Sequence, residues 1–168
     1  MKTILFTTDV SGFELCPDPV LVVIPANRMN TEKIRLVVVH VRKNDIPFHL
    51  HVKGYVDPLV DIIKTSGAEF GISWLSSQIF EKDIIDVLNG KIVNYHGGPL
   101  ATTHTLRKAV KNGETSMRVM WHWMIEALDE GPVIMEGHIP VTDWEESRKA
   151  LIEKGIEMYR KLQLEGIL

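Results

Sequence analysis

The sequence predicts an α/β fold: a mostly parallel sheet flanked by helices, with a C-terminal β-hairpin and a long final helix. Three observations carry this expectation. Short runs rich in β-branched residues alternate with segments of helical period, Gly, Pro and Asn-Gly pairs punctuate the junctions, and a long amphipathic stretch follows Asp143.

Thr3 to Thr8 and Val20 to Ile24 read as buried strands, bounded by Asp9-Val10-Ser11-Gly12 and by Pro17, Pro19 and Pro25. About ten residues separate them, fewer than a helical crossover between parallel strands needs, so the connection is irregular or has lost its helix. Thr31 to Asn44 is ambiguous. Leu36-Val37-Val38-Val39 suggests a strand, whereas Ile34, Val37, Val38 and Val41 recur at helical spacing. Its ends decide for helix: Asn30 or Thr31 can cap the start, Glu32 suits the positive end of the helix dipole and Lys43 the negative end.

Pro47 to His51 is predicted as a strand, Pro58 to Ser66 as a short helix stopped by Gly67, and Phe70 to Leu75 as a strand. Glu81 to Leu88 is a helix ended by Asn89-Gly90, and Lys91 to Tyr95 a strand opening into Gly97-Gly98-Pro99. Thr103 to Lys111 is another helix. Ser116 to Met124 and Pro132 to Val141 are strands joined through Asp129-Glu130-Gly131, with an antiparallel pairing open to them. Asp143 caps the last helix, whose apolar stripe is Leu151, Met158 and Leu162 with Ile152, Ile156 and Tyr159, and Gly166 ends it.

At 168 residues, residues 1–168 are expected to form one domain with a real core. The 45% hydrophobic and 24% charged content excludes a disordered or fibrous chain. A net charge of -3 offers no attraction to bulk nucleic acid or an anionic membrane, so neither is expected as a partner. Cys16 is the lone cysteine, which excludes an intrachain disulfide and a cysteine zinc cluster and points to a cytoplasmic protein. The N-terminal apolar run is too short for a signal sequence.

Asn94 and His96 lie two apart, so on an extended backbone both side chains face the same way, beside a Gly97-Gly98-Pro99 loop that lets another molecule approach. An amide donor beside an imidazole can stabilise an oxyanion and move a proton. Asn94 could equally satisfy loop backbone and His96 be a partly buried structural histidine. Asp129, in front of Glu130-Gly131, could simply bond its own turn; beside His96 it would orient the imidazole and raise its basicity. Both pairs of readings stay open on these residues alone. His49 and His51 could share one side of a strand, but without a third ligand they read as solvent-facing rather than metal-binding. Trp121 and Trp123 alternate with His122 and Met124 as one core face and one cleft or surface face, and Trp144 and Met135 read as core.

Val93-Asn94-Tyr95-His96-Gly97-Gly98-Pro99-Leu100, then Ala109-Val110-Lys111-Asn112-Gly113-Glu114, Trp121-His122-Trp123-Met124 and Asp129-Glu130-Gly131-Pro132-Val133-Ile134, together resemble the formyltetrahydrofolate-dependent formyltransferase superfamily. The resemblance is strongest from Leu75 to Val141. It implies a Rossmann-like sheet and formyl transfer from N10-formyltetrahydrofolate, the one cofactor, to a small-molecule amine on a sugar or ribonucleotide, without a metal. It implies catalytic roles for Asn94, His96 and Asp129, a folate pocket at Leu75, Ser76, Gln78 and Ile79 facing Ala127 and Leu128, and a substrate side at Ser11, Gly12, Gly97, Gly98 and Pro99.

The chain departs from the family's pattern in two places. Leu100 runs directly into Ala101-Thr102-Thr103-His104 where the family has a longer covering loop, and a glycine-rich phosphate loop is replaced by Thr8-Asp9-Val10-Ser11-Gly12, where Asp9 would repel a phosphate. The chain ends soon after its last helix, so a tRNA substrate is not expected. These shortened segments give the alternative expectation, a catalytically silent folate-binding or regulatory module. A homodimer stays open.

Overall fold

A computed structural model of the chain describes residues 1–26, 31–52, 58–76, 80–98, 105–127 and 130–168. Its strands are β1 (Thr3–Thr7), β2 (Leu21–Pro25), β3 (Phe48–His51), β4 (Phe70–Trp74), β5 (Ile92–Gly97), β6 (Ser116–Trp123) and β7 (Val133–Pro140). Among the described residues they form a seven-stranded sheet in the order β3-β2-β1-β4-β5-β6-β7. The α/β class with a mostly parallel sheet, a C-terminal hairpin and a long last helix is the architecture observed. The chain divides into two compact units: residues 1–94 with 124–126, and residues 95–123 with 127–168.

In the first unit β1 pairs in parallel with β2 and β4, β2 with β3, and β4 with β5. Because strands alternate their faces, Ile4, Phe6, Leu21 and Val23 point to one side. There they meet Leu59 and Ile63 of α2 (Leu59–Ser66) and Ile84 and Ile85 of α3 (Lys82–Val87) in one buried cluster. The helix α1 (Thr31–Lys43) packs by β2, burying Val37 and Val41. Thr31 to Lys43 is helical, as expected, despite its β-branched run. Between β1 and β2 the crossover is a single 3-10 turn, Val10–Glu14, short because the chain there has no room for a full helix. Gly67 closes α2 in the left-handed region at φ 67°, which only glycine adopts without steric cost.

The second unit pairs β6 and β7 antiparallel, Ser116 facing Pro140 and Trp121 facing Met135. The helix α4 (Leu106–Lys111) and the helix α5 (Trp144–Leu164) lie against them. The expected start of α4 at Thr103 is corrected: Thr105 is extended at φ -122°, ψ 161°, so the first helical turn opens at Leu106. The stripe of α5 is as anticipated, with Leu151, Ile156, Met158, Tyr159 and Leu162 buried. Trp121 stacks obliquely between Tyr95 and Tyr159, each centroid 5.2 Å away, and its indole N–H donates to Gly155 O at 3.0 Å. That bond satisfies the polar atom of a fully buried ring.

Trp144 and Met135 are not core. Trp144 is 43% exposed because it occupies the first position of α5, outside the packed stripe, where the Arg107 guanidinium lies 5.6 Å from its ring centre. Met135 is half-buried. Asp143 caps α5 as expected, its carboxylate accepting from the backbone N–H of Glu145 at 2.9 Å and of Glu146 at 3.0 Å. Asp143→Ala is therefore expected to cost about 1 kcal/mol, a fall of roughly 2–4 °C in the melting midpoint by scanning calorimetry.

Candidate functional site

Parallel pairing brings the carboxyl ends of β1, β4 and β5 to one edge, with Phe6, Ser73 and Asn94 level across the three strands. The strand order reverses between β1 and β4, the position at which open α/β sheets leave a crevice beyond the strand ends. The sequence folds this way because each of the three strands is a short apolar run stopped by polar or turn residues at this end.

β5 extends further than anticipated, to Gly97, so that Asn94 and His96 both stand on regular strand. Tyr95 between them is buried, and its hydroxyl donates to Leu151 O at 2.9 Å. Burial, with the charge of Glu157, pushes that phenol far above its ordinary range, so it remains a neutral donor. Alternation then turns Asn94 and His96 to the opposite face, where both are half-buried. The anchored tyrosine fixes the direction of its neighbours.

The His96 ring lies edge-on to His122, centroids 6.3 Å apart and planes at 75°. His122 is fully buried, and its Nδ1 lies 2.9 Å from Trp123 O. A neutral ring at that distance donates through Nδ1–H, which sets its tautomer. The expected alternation of core and cleft faces along Trp121 to Met124 fails here. A β-bulge between Trp121 and His122 shifts the register, so both side chains are fully buried.

Asp129 lies outside the described residues, as do Gln78, Ile79, Leu128 and Pro99 of the anticipated pockets. Ala127 is exposed, and its carbonyl accepts from Glu130 N at 3.3 Å. Leu75 and Ser76 are half-buried at the end of β4. Leu75 carries a feature no sequence signal reveals: its φ is 45°, in the left-handed region that a branched side chain rarely tolerates. Thr8 holds it there, its hydroxyl donating to Leu75 O at 2.8 Å. Strain of this kind persists only where surrounding structure enforces it, and such residues concentrate at ligand-binding positions.

The anticipated phosphate contacts at Ser11 and Gly12 are pre-empted by Asp9. The Asp9 Oδ1 accepts from Ser11 N at 3.1 Å and from the Ser11 hydroxyl at 2.7 Å, while Gly12 N donates to Asp9 O at 3.1 Å. The Ser11 hydroxyl in turn accepts from the Trp74 indole at 2.9 Å. Gly12 packs closely: a Cβ there would stand 3.1 Å from Trp74 Cδ1 and 3.2 Å from Thr7 Oγ1, so those side chains would have to give by a few tenths of an ångström. Gly97 likewise makes room for α5, since its Cβ would meet Met117 Cε at 3.1 Å and Leu151 Cδ1 at 3.2 Å. Gly98 adopts φ 117° and donates its N–H to Arg118 O at 2.8 Å.

His49 and His51 are half-buried on β3 rather than solvent-facing, and no group of three metal-ligating side chains forms among the described residues. Burial, with Asp18 adding to it, pushes the Cys16 thiol up to about 11, so at neutral pH it is no thiolate nucleophile. No described helix is long and apolar enough to cross a membrane.

Comparison with known proteins agrees with this fold. The formyl transferase family model matches residues 25–165. The phosphoribosylglycinamide formyltransferase of Bacillus halodurans superposes with a TM-score of 0.75 at 15% identity, over 96% of this chain and 95% of that one. The glycinamide ribonucleotide transformylase 1 of Geobacillus kaustophilus gives 0.71 at 17% identity, over 95% of each. The formyltetrahydrofolate deformylase of Burkholderia mallei gives 0.60 at 19% identity, over 93% of this chain and 59% of that one. A search of curated proteins finds no match.

Proposed function

Because the chain belongs to the formyl transferase family, we propose that it moves a formyl group from N10-formyltetrahydrofolate to the primary amine of a small sugar or ribonucleotide, as a cytoplasmic enzyme. One observation carries the reading: Asn94 and His96 share one face of β5, opposite the buried and anchored Tyr95. When bound, the donor supplies a formyl carbon attached to nitrogen. As the amine forms its bond to that carbon, the Asn94 carboxamide and a protonated His96 donate to the oxygen on which negative charge builds. Asp129 holds the His96 ring and passes protons from the attacking amine towards the departing nitrogen. No metal takes part.

Leu75, Ser76, Gln78 and Ile79, with Ala127 and Leu128, line the donor side in this proposal. The enforced left-handed turn at Leu75 fits that role, because strain of this kind gathers at ligand-binding positions. Gly97, Gly98 and Pro99 border the amine. Ser11 and Gly12, with their donors engaged by Asp9, would serve as wall and not as a phosphate cradle.

That engagement favours a second reading in which water is the acceptor and formate the product, since an acceptor without a phosphate anchor needs less binding energy from this edge. The test is to incubate the protein with N10-formyltetrahydrofolate and a panel of primary amines, glycinamide ribonucleotide and amino-sugar nucleotides included. Tetrahydrofolate is followed by absorbance and the carbon product by mass spectrometry. Formylated amine is the expected product; formate alone supports the second reading. Tight donor binding with neither product overturns both in favour of a silent folate-binding module.

A further inference from the structure

The helix α1 presents an anomaly that formyl chemistry does not use. Its inward residues Val37 and Val41 are buried, His40 stacks on Phe13 with centroids 4.0 Å apart, and Arg42 reaches over the Phe48 ring at 5.9 Å. These three contacts fix the helix's inner face and both flanks. The remaining stripe points outward, and it holds Leu36, 50% exposed, and Val39, 55% exposed, where an ordinary amphipathic helix carries polar groups.

At 100° per residue, Glu32, Leu36, Val39 and Lys43 fall within an arc of about 60° on this outer face. The order along the axis is acid, apolar, apolar, base, with Glu32 and Lys43 both exposed. That order is self-complementary under a two-fold rotation. With two copies antiparallel, Leu36 of one faces Val39 of the other, and Glu32 faces Lys43 at both ends. A parallel pair would set Glu32 on Glu32 and Lys43 on Lys43. Glu32 makes an exposed contact with Arg35 at 3.7 Å, an interaction weak enough to be exchanged.

We propose that the outer face of α1 is an isologous contact between two copies of this chain, its two helices antiparallel about an axis between Leu36 and Val39. The contact is independent of the reaction proposed above. A pair of helices of 13 residues falls below the roughly 1,000 Å² that a stable specific interface buries, so the dimer is a reversible, concentration-dependent one.

Sedimentation velocity of the full chain from about 1 µM to about 500 µM tests it, a span that brackets weak dimer constants. The unaltered protein is expected to shift from monomer to dimer. Leu36→Asp is expected to abolish the shift. Glu32→Lys and Lys43→Glu each occur twice across the two-fold axis and are each expected to weaken the dimer about tenfold. The double variant Glu32→Lys with Lys43→Glu exchanges the charges and is expected to recover the loss. All four side chains are exposed, so circular dichroism should be unchanged in every variant. A monomer at every concentration, a dimer indifferent to Leu36→Asp, or a double variant no tighter than the singles overturns the proposal.

Discussion

His96→Ala is expected to lower kcat for formyl transfer by about 10²- to 10⁴-fold, the range over which a positioned proton-transfer group acts, with KM for the donor little changed. The side chain is half-buried at the strand end and outside the apolar clusters, so unfolding free energy should move by about 1 kcal/mol or less. Loss of kcat without loss of KM is the signature of an interaction made only as the transition state forms. It also separates catalysis from packing, because a merely structural histidine would be missed in the melting curve first. Stopped-flow measurement of tetrahydrofolate release in single turnover reads the chemical step directly. A rate within about threefold of the parent, less than 1 kcal/mol of barrier, would remove His96 from the mechanism.

Local rules read much of this chain, and the places where they fail share a cause. The strands of the parallel sheet, the helix ends at Gly67 and Asp143 and the antiparallel hairpin follow from residues within a few positions of each other. The i, i+2 spacing of Asn94 and His96 is equally local, and β5 places both on one face. Trp144 misled because a tryptophan's size suggests burial, whereas its place at the head of α5 denies it neighbours on one side. The break in alternation at Trp121 and His122 comes from a bulge whose partner strand lies more than ten residues on, beyond any local pattern. The engagement of Ser11 by Asp9 and Trp74 joins residues 63 apart, and the left-handed Leu75 depends on Thr8, 67 apart. Such strain comes from tertiary contacts, and the residue type itself argues against it. The four apolar residues of Leu36 to Val39 divide the same way: the core takes Val37, and the outward Leu36 and Val39 are what made the segment ambiguous between strand and helix.

Gly131→Ala is expected to be the most damaging single methyl in the described chain. A Cβ at this glycine would lie 1.6 Å from Trp123 O and 2.8 Å from Trp123 C, so it would collide with backbone and not with a side chain that could swing aside. That carbonyl is already committed, since it lies 2.9 Å from Nδ1 of the fully buried His122, and Trp123 N donates to Pro132 O at 3.0 Å. The start of β7 must therefore retreat from the end of β6, breaking both contacts, or the backbone must distort around them. Overpacking against mobile side chains typically costs 1–3 kcal/mol, so a collision with fixed backbone should cost about 3 kcal/mol or more. For a chain of this length that is a fall of roughly 6–12 °C in the melting midpoint. The retreat also moves the chain two residues after Asp129 and frees the His122 ring, which lies edge-on to His96. Activity measured well below the new midpoint should consequently drop along with stability, whereas Gly113→Ala, in open space at φ 69°, should cost about 1 kcal/mol and leave kcat intact. Equal midpoints for the two variants would mean that β6 and β7 do not approach as closely as Gly131 permits.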